Sequence, residues 1–331
     1  MKTNTTQRIG ILLNNLGTPD EPTPAAVRRY LAEFLSDKRV IEKPAWIWKI
    51  ILYGIILNIR PAKAAKAYQK VWTDKGSPLL AISVAQAKQL QKTLDPDQQS
   101  IFVELAMRYG NPSISQAMHA LKQKNVDRII VLPLYPQYSA TTTASTYDAV
   151  SAVIHQWRDI PSIDFVGAYY HHPEYIRVLA DSIRHYWESQ GKSERLLMSF
   201  HGLPEAYVNA GDPYQKQCLA SAQLLADELD LTADDWICAF QSRFGVEQWI
   251  KPYTDKTLEQ WAQQGLKSVD VVCPGFPADC LETLEEMAME NRDVFLQEGG
   301  DSYQFIPCLN DQQDHIDFLA TLVKEHFQNS F

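Results

Sequence analysis

The sequence predicts an α/β protein built as two similar halves, and two observations carry that expectation. Short β-branched runs alternate with longer amphipathic stretches, the strand–helix–strand pattern that yields mostly parallel sheets with helices on both faces. The order of turns and strand ends in the first half also returns in the second. A length of 331 residues suits one large unit or two modest lobes, and 45% hydrophobic against 21% charged residues is the balance of a chain that folds.

Eight runs read as buried strands: 9–13, 101–106, 128–132, 163–166, 196–200, 236–240, 269–272 and 303–306. Helical periodicity fills the intervals, for example at 115–124 and 257–264, and a last helix is expected over 314–328. In the first half Met107-Arg108-Tyr109-Gly110 leads through a helix into the strand ending at Tyr135. In the second, Ser242-Arg243-Phe244-Gly245 leads into the strand that runs on to Phe276. Upstream of each stands a strand ending in a Gly-x-Pro turn, Gly17-Thr18-Pro19 and Gly202-Leu203-Pro204.

From turn glycine to Arg-aromatic-Gly glycine is 93 residues in the first half (Gly17 to Gly110) and 43 in the second (Gly202 to Gly245). The surplus is assigned to an insertion at 36–73. The expected organisation is an N-terminal lobe over 1–157, a C-terminal lobe over 158–313, and a final helix, 314–331, packing across the lobes. Two such lobes would face each other across a cleft, because ligands of open α/β sheets bind beyond the carboxyl ends of the strands.

A net charge of −9 and a pI near 5.4 argue against nucleic acid as a partner, which calls for a concentrated basic surface. Five scattered cysteines without a C-x-x-C fit reduced thiols in a cytoplasmic protein. The apolar run after Lys2 and Arg8 is too short for a signal peptide, and the stretch 45–59, interrupted by Lys49, is too short to span a bilayer. Neither a glycine-rich dinucleotide fingerprint nor a phosphate loop occurs, which weighs against nucleotide chemistry.

The residues that can carry chemistry fall at the strand ends. His201 follows a strand and opens a turn, where an imidazole can accept a proton, ligate a metal or simply cap the strand through the backbone. Asp279, Glu282 and Glu286 stand at i, i+3 and i+7, one face of an α-helix. Such a line of acids serves a cation or a proton, but Asp279 and Glu282 also form a capping pattern at a helix start. Arg108 and Tyr135 lie at corresponding ends of the first half, as pocket residues or as an ion pair and a core aromatic. The polar run 139–145 reads as a helix cap. The insertion combines Trp46, Ile47, Trp48, Ile50, Ile51, Tyr53, Ile55, Ile56, Leu57 and Ile59 with Arg60, Lys63, Lys66 and Lys70. It reads as a greasy, basic-edged lip or interfacial helix, or as an ordinary core helix followed by a solvated one.

Taken in order, Asn15-Leu-Gly-Thr-Pro19, Tyr135-Pro-Gln-Tyr-Ser139, Ser199-Phe-His-Gly-Leu-Pro204, Gly211-Asp-Pro-Tyr214 and Asp279-Cys-Leu-Glu-Thr-Leu-Glu-Glu286 make the chain resemble the ferrochelatase family, bacterial type. The resemblance spans roughly residues 9–309. It implies two Rossmann-like, chelatase-type lobes related by internal duplication, each a parallel sheet flanked by helices. It further implies insertion of Fe²⁺ into protoporphyrin IX, or a closely related carboxylated porphyrin, with release of two protons late in haem biosynthesis. By resemblance His201 and Glu282 are the metal-site pair and share the catalytic work with Glu286 and Asp279. Leu16, Arg108 and Tyr135 match pocket residues, and Arg60 and Lys63 match basic positions on the lip.

Two departures flank the acid line: Pro277 replaces an expected small flexible residue, and Cys280 stands where some members have histidine. The chain ends at Phe331 without the cysteine-rich tail that anchors an iron–sulfur cluster in some relatives, so no cluster and no permanently bound cofactor are expected. The expected partners are the porphyrin and Fe²⁺ as substrates, with a peripheral contact at the inner face of the cytoplasmic membrane. Two rivals stay open on sequence grounds: a chelatase loading cobalt or nickel into another tetrapyrrole, and a carrier that holds a tetrapyrrole without chemistry.

Overall fold

The computed structural model describes residues 7–245 and 247–328, so Lys2 and the last three residues, Phe331 among them, lie outside the described residues. All eight expected strands form: β1 (Ile9–Thr18), β2 (Ile101–Gly110), β3 (Arg128–Pro133), β4 (Ser162–Phe165), β5 (Arg195–His201), β6 (Trp236–Gln241), β7 (Ser268–Val272) and β8 (Ser302–Phe305). They make two four-stranded sheets ordered β2-β1-β3-β4 and β6-β5-β7-β8, every ladder parallel. Each sheet thus has the order second, first, third, fourth, which is the duplication written as topology.

Central parallel strands are covered on both faces and therefore run nearly unbroken in apolar residues. Ile11, Leu12 and Leu13 of β1 and Ile129 to Leu132 of β3 are wholly buried, as are Leu197, Met198 and Phe200 of β5. In the first unit Met118 and Leu121, from the helix Ile114–Gln123, pack on this sheet with Leu12, Ile129 and Val131. That helix starts at Ser113 with a full capping box closed by Gln116. In the second unit Leu258, Trp261, Met287 and Phe295 pack on Leu197, Val269 and Val271.

The Gly-x-Pro turns explain themselves in the backbone. Gly17 has φ +118°, and a Cβ there would lie 1.8 Å from the carbonyl oxygen of Tyr109 on the neighbouring strand. At Gly202 a Cβ would lie 2.7 Å from the carbonyl oxygen of Gln241, which accepts the Gly202 N–H at 2.7 Å. In both units the first strand leaves the sheet pressed against its neighbour's backbone, and only glycine fits there.

The units differ from the expected domains. The first comprises residues up to 134, 140–167 and from 311 onward; the second comprises 135–139 and 168–310. The boundary thus falls about ten residues after 157, and Tyr135–Ser139 join the second unit. There Tyr138 N–H donates to Gln217 at 2.7 Å, Gln137 to Ser221 at 2.9 Å and the Ser139 hydroxyl to Asp212 at 2.9 Å. The last helix, Gln313–Gln328, was expected to pack across both lobes. It belongs to the first unit, where it packs on the helix Pro78–Leu94 and on β3, and Arg128 donates to its His326 carbonyl at 2.7 Å.

The insertion forms a helix (Ala45–Ile51), a π-helical turn (Leu52–Ile56) and a second helix (Leu57–Val71). Leu52 and Leu57 are buried with Leu35 and Ile41, and Arg28 donates to the Leu57 carbonyl and to Asn58. Trp48 and Ile56 pack against this cluster, whereas Trp46 is 70% exposed, Ile50 68% and Ile59 67%, and the helix Ala45–Ile51 has no buried residue. The core-helix reading is thereby overturned. Among the described residues no helix is long and apolar enough to cross a membrane.

At its start the insertion is tied to the end of β2. Asp37 accepts hydrogen bonds from the Arg108 guanidinium, from the Tyr109 hydroxyl at 2.9 Å and from the Ser145 hydroxyl at 2.6 Å, while Arg108 Nε also donates to the Ser145 carbonyl at 3.0 Å. Burial pushes the Asp37 carboxyl up, but the donors Ser145, Arg39 N–H and Tyr109 and the Arg108 charge outweigh it, and the carboxyl is held below its ordinary value. A depressed carboxylate contributes stability above its unfolded pKa and loses it as pH falls through the folded one. Asp37→Asn is therefore expected to cost roughly 3 kcal/mol at pH 7. Urea denaturation at stepped pH values should show the gap to wild type closing below about pH 4; an equal gap throughout would refute the charge-based account.

Candidate active site at the strand ends of the second unit

β5 and β6 run parallel with His201 opposite Gln241, so the two side chains leave the sheet together. The His201 Nδ1 lies 2.6 Å from the Gly202 carbonyl oxygen. A carbonyl can only accept, so this contact places the proton on Nδ1 and leaves the Nε2 lone pair for a metal or a proton. The strand-cap reading of His201 is thus met by Nδ1, and Nε2 is the nitrogen that its chemical reading would use.

The acids stand on a helix of different pitch from the one expected. Glu282–Asn291 is a ten-residue π-helix, in which backbone hydrogen bonds run i→i+5. Glu282 is the first residue of this helix and Glu286 follows within one turn. Burial pushes the Glu286 carboxyl above its ordinary value against the pull of the Ser242 donors and of the His201 charge, and the like charge of Glu282 adds to the rise. Ser242, at φ +65°, grips Glu286 with its N–H at 2.7 Å and with its hydroxyl.

Asp279 drops out of the expected line. It precedes the π-helix and is 5% exposed, with its carboxylate accepting from the Thr283 hydroxyl at 2.9 Å and the Asn310 amide at 2.7 Å. Nor does it form the expected capping pattern with Glu282: Thr283 takes the Cys280 N–H at 3.0 Å. Asp279 anchors the start of the helix to the segment before Asn310. Cys280 is buried, and its thiol is pushed well up by burial and then by the adjacent Glu282. Among the described residues no group of three or more His, Cys, Asp and Glu side chains stands ready to hold a metal ion.

The first unit presents its residues differently. Leu16 is half-buried at the end of β1, while Arg60 and Lys63 are exposed on the helix Leu57–Val71. The Arg108 guanidinium is committed to Asp37 and Ser145 and lies 4.5 Å from the Tyr109 ring centroid, which realises the ion-pair reading. Half-buried Tyr135 belongs to the second unit.

Two contributors escaped the sequence reading, Gln241 and Ser242. Their signal was present, since Ser242 opens the run that revealed the repeat, but nothing in that run marks a side chain that reaches the acid helix.

Comparison with known proteins fits this geometry. The family model described as Ferrochelatase matches residues 8–327. The ferrochelatase of Nitrosococcus oceani is 52% identical over 325 residues, covering 98% of this chain and 88% of that protein. Ferrochelatase 1 of Shewanella oneidensis is also 52% identical, over 328 residues, covering 99% and 98%. Among solved structures, SirB from Bacillus subtilis with Fe³⁺ superposes with a TM-score of 0.60 at 12% identity, covering 98% of this chain and 97% of that one. CbiX, described as the terminal enzyme for biosynthesis of siroheme in denitrifying bacteria, gives 0.51 at 12% identity over 96% and 99%. The structural likenesses establish the two-sheet chelatase fold; the sequence match, nearly end to end, establishes that the chain belongs to the ferrochelatase family.

Proposed function

We propose that the protein inserts Fe²⁺ into protoporphyrin IX, or a closely related carboxylated porphyrin, with release of two protons, as a late step of haem biosynthesis. The observation that carries this reading is that Glu282 and Glu286 are tied by Gln241 and Ser242 to the strand end that pairs with His201, in a chain belonging to that family. Fe²⁺ is here a substrate, and the reaction needs no resident cofactor or iron–sulfur cluster.

The porphyrin must lose two pyrrole N–H protons and the iron must shed water. His201, protonated on Nδ1, accepts a pyrrole proton at Nε2. Glu282 would hold the substrate iron as a hard oxygen ligand, with His201 Nε2 sharing it until the ring takes it; only then is Nε2 free for one pyrrole proton, and Glu286 accepts the other. Glu286, whose raised affinity for a proton comes from its burial, takes protons onward. Asp279 serves this group by fixing the start of the helix that carries it. For the porphyrin the family resemblance offers Leu16 and Tyr135 as apolar contacts and Arg60 and Lys63 as partners of its carboxylates, while Arg108 is held by Asp37.

The exposed apolar side chains of the insertion, flanked by Lys49, Arg60, Lys63, Lys66 and Lys70, suit peripheral binding to an anionic leaflet. On this reading the protein works in the cytoplasm at the inner membrane face, with no nucleic acid among its partners.

Anaerobic mixing of protein, Fe²⁺ and a dicarboxylic porphyrin should convert the free-base visible bands to a metalloporphyrin pattern. Glu282→Gln and His201→Leu should each slow this by about 100-fold or more while the porphyrin still binds. Near-normal insertion by both variants would remove these residues from the reaction; bands that shift on binding without metal entry, even for wild type, would favour a carrier.

For the lip, Trp46→Ser with Ile50→Ser should weaken co-sedimentation with phosphatidylserine-containing vesicles at least tenfold, given about 1.5–3 kcal/mol per large apolar side chain withdrawn from water. Equal sedimentation of wild type and variant would exclude the lip as the contact.

A further inference from the structure

The structure assigns Gln241 as a positioning residue that sets where Glu282 stands, an inference that rests on the function proposed above. Gln241 ends β6, is 4% exposed, and touches three elements with one side chain. Its Oε1 accepts from the Ser199 hydroxyl of β5 at 2.8 Å and from the Cys273 thiol just beyond β7 at 3.6 Å. Its Nε2 donates to the backbone carbonyl of Glu282 at 3.0 Å.

The direction of these bonds is forced. The Glu282 carbonyl can only accept, so the amide must present nitrogen to it and oxygen to Ser199. Ser199 has one proton, which goes to Gln241; the wholly buried Ser199 oxygen then accepts from the Thr254 hydroxyl at 2.9 Å. Donation therefore runs one way, from Thr254 through Ser199 and Gln241 to the first residue of the π-helix. A flipped amide would set acceptor against acceptor at Glu282, so the chain holds a single orientation in a water-poor interior, where leaving either end unmade is costly.

The π-helix needs such anchoring. Farther along it Asn291 Nδ2 donates to the Glu286 carbonyl at 2.9 Å and the Tyr303 hydroxyl donates to the Met287 carbonyl at 2.7 Å. The first bond is internal to the helix and the second ties its middle to β8; Gln241 ties its first residue to the strand that pairs with His201. The helix end bearing Glu282 and the strand end bearing His201 are thereby fixed to the same side chain's neighbourhood. Displacement of a reacting group by about 1 Å can cost on the order of 100-fold in rate, so the latch acts on the iron step.

The experiment is steady-state kinetics of Gln241→Met, which keeps the volume and loses the hydrogen bonds, with iron and porphyrin varied separately. The expected result is a fall of at least tenfold in kcat/KM for Fe²⁺, with KM for the porphyrin and its binding spectrum unchanged within about twofold. Ser199→Ala, which removes the donor that orients the amide, should move the same parameter in the same direction by less, and it serves as the test should the methionine variant not fold. Equal losses toward iron and porphyrin, or iron kinetics like wild type in whichever variants fold, would overturn the assignment. Failure of wild type itself to insert iron would overturn the proposed function instead, so the two outcomes are separable.

Discussion

The parallel register that pairs His201 with Gln241 is the constraint on which the rest of the site depends. Parallel strands finish on the same side, so a residue at the end of β5 and one at the end of β6 emerge together. Shift that register by one residue and every side chain changes face, the imidazole included. Gly202 locks it, since its N–H meets the Gln241 carbonyl where a Cβ would collide. From this pairing follow the Gln241 bond to Glu282, the Ser242 grip on Glu286, and the shared field of His201 and the two acids.

The first unit repeats the geometry and turns it to another use. Gly17 presses on the Tyr109 carbonyl as Gly202 does on that of Gln241, and the arginine of the repeated run falls at the end of the corresponding edge strand, inside β2 at Arg108 and just past β6 at Arg243. Yet Arg108 is buried against Asp37, an acid supplied by the insertion, whereas its counterpart Arg243 pairs at the surface with Asp255 and lies 4.1 Å from the Tyr253 ring centroid. Duplication conserved the backbone solution, and the insertion changed what one copy's arginine can do.

That contrast explains what was legible in the sequence. The strands were readable because doubly covered parallel strands must be apolar along their whole length, and β3, buried from Arg128 to Pro133, is the extreme case. The exchange of Tyr135–Ser139 between units was not, because it is settled by polar bonds to Gln217, Ser221 and Asp212, residues distant in sequence. Position and resemblance single out His201 and Glu282, but the expected acid line assumes the pitch of an α-helix. A π-helix leaves no period in so short a run, and so Asp279 was counted with acids that it supports from behind. Gln241 was invisible because a glutamine at the end of an apolar strand looks the same whether it faces water or a helix carbonyl.

The thiols around the acid helix bear on the same chemistry. Cys273, Cys280 and Cys308 are buried, and burial first, then neighbouring Glu282, Asp279 or Glu286, pushes each of them well above the ordinary thiol value. They are therefore neutral at physiological pH and offer no thiolate, the form of cysteine that binds metals. A substrate metal has to be released to the porphyrin, and a soft thiolate beside Glu282 would compete for it. The negative field of Glu282 and Asp279 adds to burial in keeping Cys280 protonated. A cysteine in place of a histidine two residues before Glu282 thus adds no thiolate beside the acids, because burial first and their charge second hold the thiol neutral.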